Sequence, residues 1–150
     1  AEPVDLIVSI DNPFSGDGLE TTENRLTHYG LADERIKVVH FPAREEYVNL
    51  LKSSQVFVSC ARSEGWNLPL IEAMACGAPV VASDLPTLRE AGGGVARHVP
   101  VGDIGGFTSA VLEAMEGHDP APGLAHAGKF TWANHAAIIH GAYSRLADGL

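Results

Sequence analysis

"SCARSEGWNLPLIEAMACGAPVVAS", residues 59–83, decides how this chain is read. After Asn67 it is apolar almost throughout, yet Glu72 stands in its middle, and Glu64 lies eight positions earlier beside Gly65. Asn67 is a good N-cap residue, and Pro69 is tolerated in a first helical turn, where its missing N–H has no intrahelical acceptor. Gly77 suits the position just past a helix end, and Pro79 prevents continuation. The spacing therefore predicts a helix over Leu68–Cys76. Only Glu72 within it is polar, so the helix is expected to be buried all round. A carboxylate in such a place carries a large desolvation cost unless it is paired or hydrogen-bonded.

Working outward, short β-rich runs recur at 4–10 ("VDLIVSI"), 36–41 ("IKVVHF"), 55–60 ("QVFVSC") and 78–83 ("APVVAS"), with a weaker one at 94–99 ("GVARHV"). The first four are nearly continuous apolar runs, the pattern of strands buried on both faces. Helix-length segments separate them. "GLETTENRLTHYG" spaces Leu19, Leu26 and Tyr29 near a helical period, with Gly30 placed to end it. "REEYVNLLKS" carries Tyr47, Val48, Leu50 and Leu51. Alternating strands and helices predict α/β architecture with a Rossmann-like open parallel sheet flanked by helices. Beyond residue 103 the pattern turns helical: "DIGGFTSAVLEAMEG" begins at a good cap, Asp103, and "TWANHAAIIHGAYSRLADG" closes the chain. "HDPAPGLAHAG", with two prolines, is expected to be a loop.

In open parallel sheets ligands bind at the carboxyl ends of the strands, and "ARSEGWN" follows the run "VFVSC" at such an end. The start of the helix after it offers free N–H groups and a positive dipole end, a natural anion site. Two carboxylates flanking an anion do not help to bind the anion. They do serve to accept hydrogen bonds from sugar hydroxyls on either side of it, which is the layout of a nucleotide sugar. The residues alone also admit another reading. Glu72 would then be a core acid held by buried backbone N–H groups or by Arg62 or Arg89, and Glu64 a solvated loop residue.

The 150 residues suit one domain, residues 1–150. The formal net charge of −9 argues against general nucleic-acid affinity, which draws on clustered Lys and Arg. Two cysteines, Cys60 and Cys76, form no CxxC pair and are expected to be reduced, mostly buried thiols in a cytoplasmic setting. No apolar run approaches the roughly 20 residues of a membrane span. Seven histidines form no H-E-x-x-H pair, and "AGGGVA" lacks the pattern of a nicotinamide or flavin loop. Trp132 and Tyr143 are expected to be packing aromatics, with the last helix available to dock on a partner domain.

"SEGWNLPLIEAMACGAPVVASD" resembles the E-x7-E signature of retaining glycosyltransferases of the GT-B fold, in the glycosyl transferases group 1 family. More than a dozen positions agree in order. The resemblance extends over most of the chain, through "VDLIVSID", "GLADERIKVVHF", "EEYVNLLKSSQVFVSCARSEG", "VPVGD" and "FTWANHAAIIHGAY". It implies the C-terminal, donor-binding half of a GT-B fold lacking its first βα unit. It further implies transfer of a hexose from a nucleotide-diphosphate sugar to a glycan or lipid-linked acceptor, with no metal requirement. Glu64 would be the catalytic carboxylate facing the donor sugar. Glu72 would bind the nucleotide ribose, with Gly65, Trp66, Asn67 and Leu68 around the sugar and pyrophosphate, and His40 and Phe41 near the base.

Some positions depart from the family pattern. Trp66 stands where Phe or Tyr is usual. Asn67 replaces a usual Gly, which either narrows the backbone approach or offers the side chain as a cap or a ligand contact. Arg97 and His98 read as surface residues. The family's N-terminal acceptor-binding domain is not in this sequence, nor is the Arg/Lys pair that neutralises the diphosphate; Lys37 and Lys52 fall in the wrong elements. The chain is therefore expected to be a donor-binding piece inactive alone, cytoplasmic or held at the inner membrane face in its full-length protein. A sugar-nucleotide epimerase relative and a degenerate, non-catalytic nucleotide-sugar-binding domain are the alternatives.

Overall fold

The apolar runs form strands and the segments between them form helices, but of the four runs expected to be buried on both faces only that at 78–83 is: Leu6, Ile7 and Val58 are exposed, and the run at 36–41 holds no buried residue among those described. The computed structural model of the chain describes residues 5–10, 22–40 and 42–148. The chain divides into two compact units, Ala1–Tyr47 and Val48–Leu150.

In the first unit, β1 (Leu6–Ile10) pairs in parallel with β2 (Ile36–His40), Leu6 opposite Ile36 and Ile10 opposite His40. The connection carries α1 (Thr22–His28). Gly30 ends it as expected, at φ 67°, with Leu31 N–H returning to the Leu26 carbonyl at 2.7 Å. Lys37 Nζ donates to Asp5 at 2.9 Å, so this lysine is engaged at the surface of β2. α2 (Arg44–Ser53) follows, with the unit boundary after Tyr47, and Leu51 is buried.

The second unit holds a parallel sheet in the order β3 (Phe57–Ser59), β4 (Val80–Ser83), β5 (Arg97–Val99). All four residues of central β4 are buried, which is why its run reads as continuously apolar. Val81 joins Val99 in a cluster with Ala110 and Ala114 of α5 (Ile104–Glu116), with Phe107 and Val111 packed against it. Asp103 caps α5 as predicted, its Oδ1 accepting the Gly106 N–H at 2.8 Å. α3 (Leu68–Ala75) and α4 (Pro86–Gly92) also pack against β4. Alternation along the strand turns Val80 and Ala82 away from the face used by Val81.

Three further expectations need correction. "HDPAPGLAHAG" is not a loop but contains α6 (Ala121–Ala127). Pro120 occupies the N-cap and Pro122 the first turn, where neither removes a helical hydrogen bond. Asp119 Oδ1 accepts the Ala121 N–H at 3.0 Å. Gly123 is buried against α3, with Met74 3.7–3.8 Å from where its Cβ would stand.

The second correction concerns the aromatics of α7 (Trp132–Asp148). Trp132 is 88% exposed, meeting the His135 ring edge to face, and Tyr143 is 69% exposed, so neither is a core aromatic. The third concerns the thiols: Cys60 is exposed and Cys76 half-buried. Nearby protein still raises the Cys60 pKa by desolvation, which keeps the thiol protonated. Among the described residues no helix is long and apolar enough to cross a membrane.

Candidate functional site

The loop between β3 and α3 collects six of the eight residues singled out in the sequence: Glu64, Gly65, Trp66, Asn67, Leu68 and, one turn into the helix, Glu72. It leaves the carboxyl end of β3. The next loop, at the carboxyl end of neighbouring β4, leads into α4, and Thr87 Oγ1 donates to the Glu64 carbonyl at 2.8 Å. Two strand-to-helix loops are thus stitched together at the sheet edge where an open parallel fold binds ligands. A cavity of about 100 Å³ lies at the other edge, by the first residues of β4 and β5, lined by Met74, Pro79, Val80, Arg97, Ala114 and His118. The chemistry of the loop is not there.

Asn67 organises the helix start. It holds φ 64°, ψ 69°, a left-handed conformation adopted by no other non-glycine among the described residues. Asparagine tolerates that region far better than most residues. Its Oδ1 accepts the Leu70 N–H at 3.1 Å, and its Nδ2 donates to Ser59 Oγ at 2.8 Å. The side chain is therefore a cap tied back to β3, which decides between the alternatives left open by the sequence. A glycine at this position would satisfy the same positive φ. The N–H groups of Trp66 and Leu68 meet no acceptor among the described residues.

Glu64 is exposed, and its Oε1 accepts the Gly65 N–H at 2.8 Å, leaving the rest of the carboxylate facing solvent. Gly65 has open space where a Cβ would point. Trp66 is half-buried and meets Phe130 edge to face, centroids 5.6 Å apart.

Glu72 is half-buried, not enclosed, and is already engaged by a partner. α3 is not buried all round: Leu70, Ile71, Ala73 and Met74 form its inner face, whereas Leu68 is 63% exposed and Ala75 exposed. The apolar outer face misled the sequence reading, because folded proteins leave much apolar surface in water. Arg89, one of the partners considered for Glu72, forks instead onto Asp84, with Nη2 2.7 Å from Oδ2. That guanidinium holds the Asp84 carboxyl below its ordinary pKa.

His40 belongs to the first unit, where its Nε2 is 2.7 Å from Glu23 Oε1. Phe41 lies outside the described residues. Arg97 is a surface residue paired with Glu113. His98 is half-buried and donates Nε2–H to the Leu88 carbonyl at 3.0 Å, so it is a structural tie between β5 and α4. Among the described residues no three His, Cys, Asp or Glu side chains cluster as metal ligands. The sequence reading missed Phe130 and Thr87. Phe130 stands beside the recognisable "TW" pair, but its contact with Trp66 spans 64 positions and has no local signature.

Residues 13–117 match the family described as glycosyl transferases group 1. The chain belongs to this family. Among its curated relatives, an O-antigen chain mannosyltransferase B of Escherichia coli is 28% identical over 127 residues, 81% of this chain and 33% of the relative. A D-inositol 3-phosphate glycosyltransferase of Mycolicibacterium smegmatis is 31% identical over 139 residues, 87% of this chain and 32% of the relative. Of solved structures, sucrose-phosphate synthase from Thermosynechococcus elongatus superposes with a TM-score of 0.69 at 26% identity, covering 97% of this chain and 38% of that one. This group 1 glycosyltransferase chain thus spans about a third of the length of the relatives it matches. The α/β fold expected from the sequence agrees with that structural likeness, which takes in both of the chain's parallel sheets.

Proposed function

We propose that this group 1 glycosyltransferase chain is the donor-binding part of a retaining enzyme that moves a hexose from a nucleotide-diphosphate sugar to a glycan or lipid-linked acceptor. One observation carries the reading. The start of α3, where the N–H groups of Trp66 and Leu68 meet no acceptor among the described residues, is flanked by a solvent-facing Glu64 and a half-buried Glu72. Helix N-termini attract anions through those N–H groups and the dipole, and carboxylates accept sugar hydroxyls. In this reading the pyrophosphate meets the N–H groups of Trp66, Asn67 and Leu68. Glu72 accepts the ribose hydroxyls, and Glu64 accepts those of the hexose. Gly65 leaves room beside the sugar.

Transfer breaks the bond from the anomeric carbon to the diphosphate oxygen and forms a bond to the acceptor oxygen on the same face. The acceptor's proton passes to the departing diphosphate. Stabilising that leaving group is the largest demand on the site. In this reading the chain's contribution is the backbone N–H groups at the start of α3. The acceptor and the remaining positive charge are assigned to the further length that the relatives have.

Calorimetric titration with UDP, GDP and ADP, then with their hexose conjugates, tests the reading. One nucleotide should bind, and Glu72→Ala should weaken it by roughly tenfold or more, the scale of a hydrogen bond to a charged group. Equal affinity in wild type and Glu72→Ala would refute the ribose assignment.

A further inference from the structure

We propose that Phe130, from the segment "FTWANHAA" at 130–137, is a positioning residue for the donor loop: its ring holds Trp66 and, through it, the peptide that enters the left-handed Asn67. The inference rests on the donor-site reading above and names a residue that acts on it from a distant part of the chain.

Trp66 immediately precedes Asn67, so the orientation of its indole and of its peptide are linked through one α-carbon. Phe130 meets that indole edge to face at 5.6 Å and 69°. Phe130 is itself held from several sides. Its N–H donates to the Ala127 carbonyl at 3.0 Å, ending α6. Asn134 Nδ2 donates to the Lys129 carbonyl at 2.9 Å, and Thr131 Oγ1 accepts the Asn134 N–H at 3.1 Å, beginning α7. Its ring also meets that of His126, centroids 5.2 Å apart. His126 in turn donates Nε2–H to the Ala91 carbonyl at 2.9 Å, since a carbonyl can only accept. α6 packs along α3 through Gly123 and Met74 and ends where α3 begins. The corner between α6 and α7 is thereby a rigid support for one ring.

A core aromatic has another signature. Phe130 is 39% exposed, so removing its ring opens a surface notch rather than an enclosed void. Large truncation penalties come from cavities that cannot collapse. The expected effect of losing Phe130 is therefore on the order of the donor loop, not on global stability.

The test uses Trp132→Phe, which changes an 88% exposed side chain and leaves Trp66 as the one tryptophan of the chain. On that parent, Phe130→Ala should shift Trp66 emission to the red and speed its quenching by acrylamide. Affinity for whichever of UDP-glucose, GDP-mannose or ADP-glucose the parent binds should fall about fivefold, the size of an edge-to-face pair. The urea midpoint should barely move. Phe130→Tyr, whose hydroxyl reaches solvent, should restore both emission and affinity. Unchanged Trp66 emission in Phe130→Ala would overturn the inference, and so would shifted emission with unchanged affinity. Should the parent bind none of the three probes, the donor-site reading fails on its own. Trp66 emission and amide exchange at residues 64–68 then still decide whether Phe130 holds the loop.

Discussion

Asn67 offers the sharpest test of how the site is built. Alanine there loses three things at once. Loss of the cap on Leu70 N–H costs about 1 kcal/mol. Loss of the bond to Ser59 Oγ costs about another 1 kcal/mol. Placing a Cβ without asparagine's local hydrogen bonding at φ 64° costs roughly 1–2 kcal/mol more. Asn67→Ala should therefore destabilise the second unit by about 3 kcal/mol. Glycine also loses the tether to Ser59, but it costs only a few tenths at an N-cap and adopts positive φ without strain. Its net effect should be about 1 kcal/mol, some 2 kcal/mol milder than alanine.

Urea denaturation followed by tryptophan fluorescence isolates this effect, because Trp66 and Trp132 both lie in the unit Val48–Leu150. The alanine midpoint should fall by on the order of 1 M. Ser59→Ala alone should cost about 1 kcal/mol, and in combination with Asn67→Ala the two should be non-additive, because they share one bond. If Asn67→Gly proved as unstable as Asn67→Ala, the argument from left-handed geometry would be wrong.

Two further predictions concern positions away from the loop. Arg35 holds the Asp33 carboxyl down at about 2, through side-chain and backbone hydrogen bonds. A depressed folded value gives stabilisation that is present above the unfolded pKa of about 4 and is lost as pH falls through the folded one. A carboxyl-carbon NMR titration should place the Asp33 midpoint near 2, and Arg35→Ala should raise it part of the way toward about 4, because the backbone N–H of residue 35 still donates to the carboxylate; an unmoved midpoint would refute the pairing. Gly123→Ala should stabilise the second unit by roughly 0.5 kcal/mol, because the new methyl meets Met74 at ordinary contact distance and the unfolded chain loses freedom. A lower urea midpoint would mean that α6 and α3 pack too tightly to admit it.

The strands were legible because their signal is local. β4 is buried on both faces, and its four residues are apolar or small in an unbroken run. The caps were legible for the same reason: Asn67, Gly77 and Asp103 each act on neighbours within a few positions. α6 was not legible. Its two prolines and its glycine are breakers by composition, and only their placement makes them compatible with a helix. Both prolines sit at or before the first turn, and the buried glycine lies against Met74 of α3. That last fact belongs to another helix and cannot be read from residues 118–128.

The site divides along the same line. The motif named its own residues, from Glu64 to Glu72, because they sit on one loop and one helix. What the motif could not convey was why asparagine serves where the family pattern has glycine. The φ of 64° answers that, and it makes the exchange conservative in backbone terms while adding a tether to β3 that glycine lacks. Nor could it convey how the loop is held. The hydroxyl of Thr87 and the ring of Phe130 reach it from 23 and 64 positions away, and neither has a partner that spacing would reveal. In this chain the groups proposed to face the ligand are local in sequence, and the contacts that hold their loop are distant. A variant that leaves every motif residue intact can therefore still disable the loop, through Phe130 or Thr87.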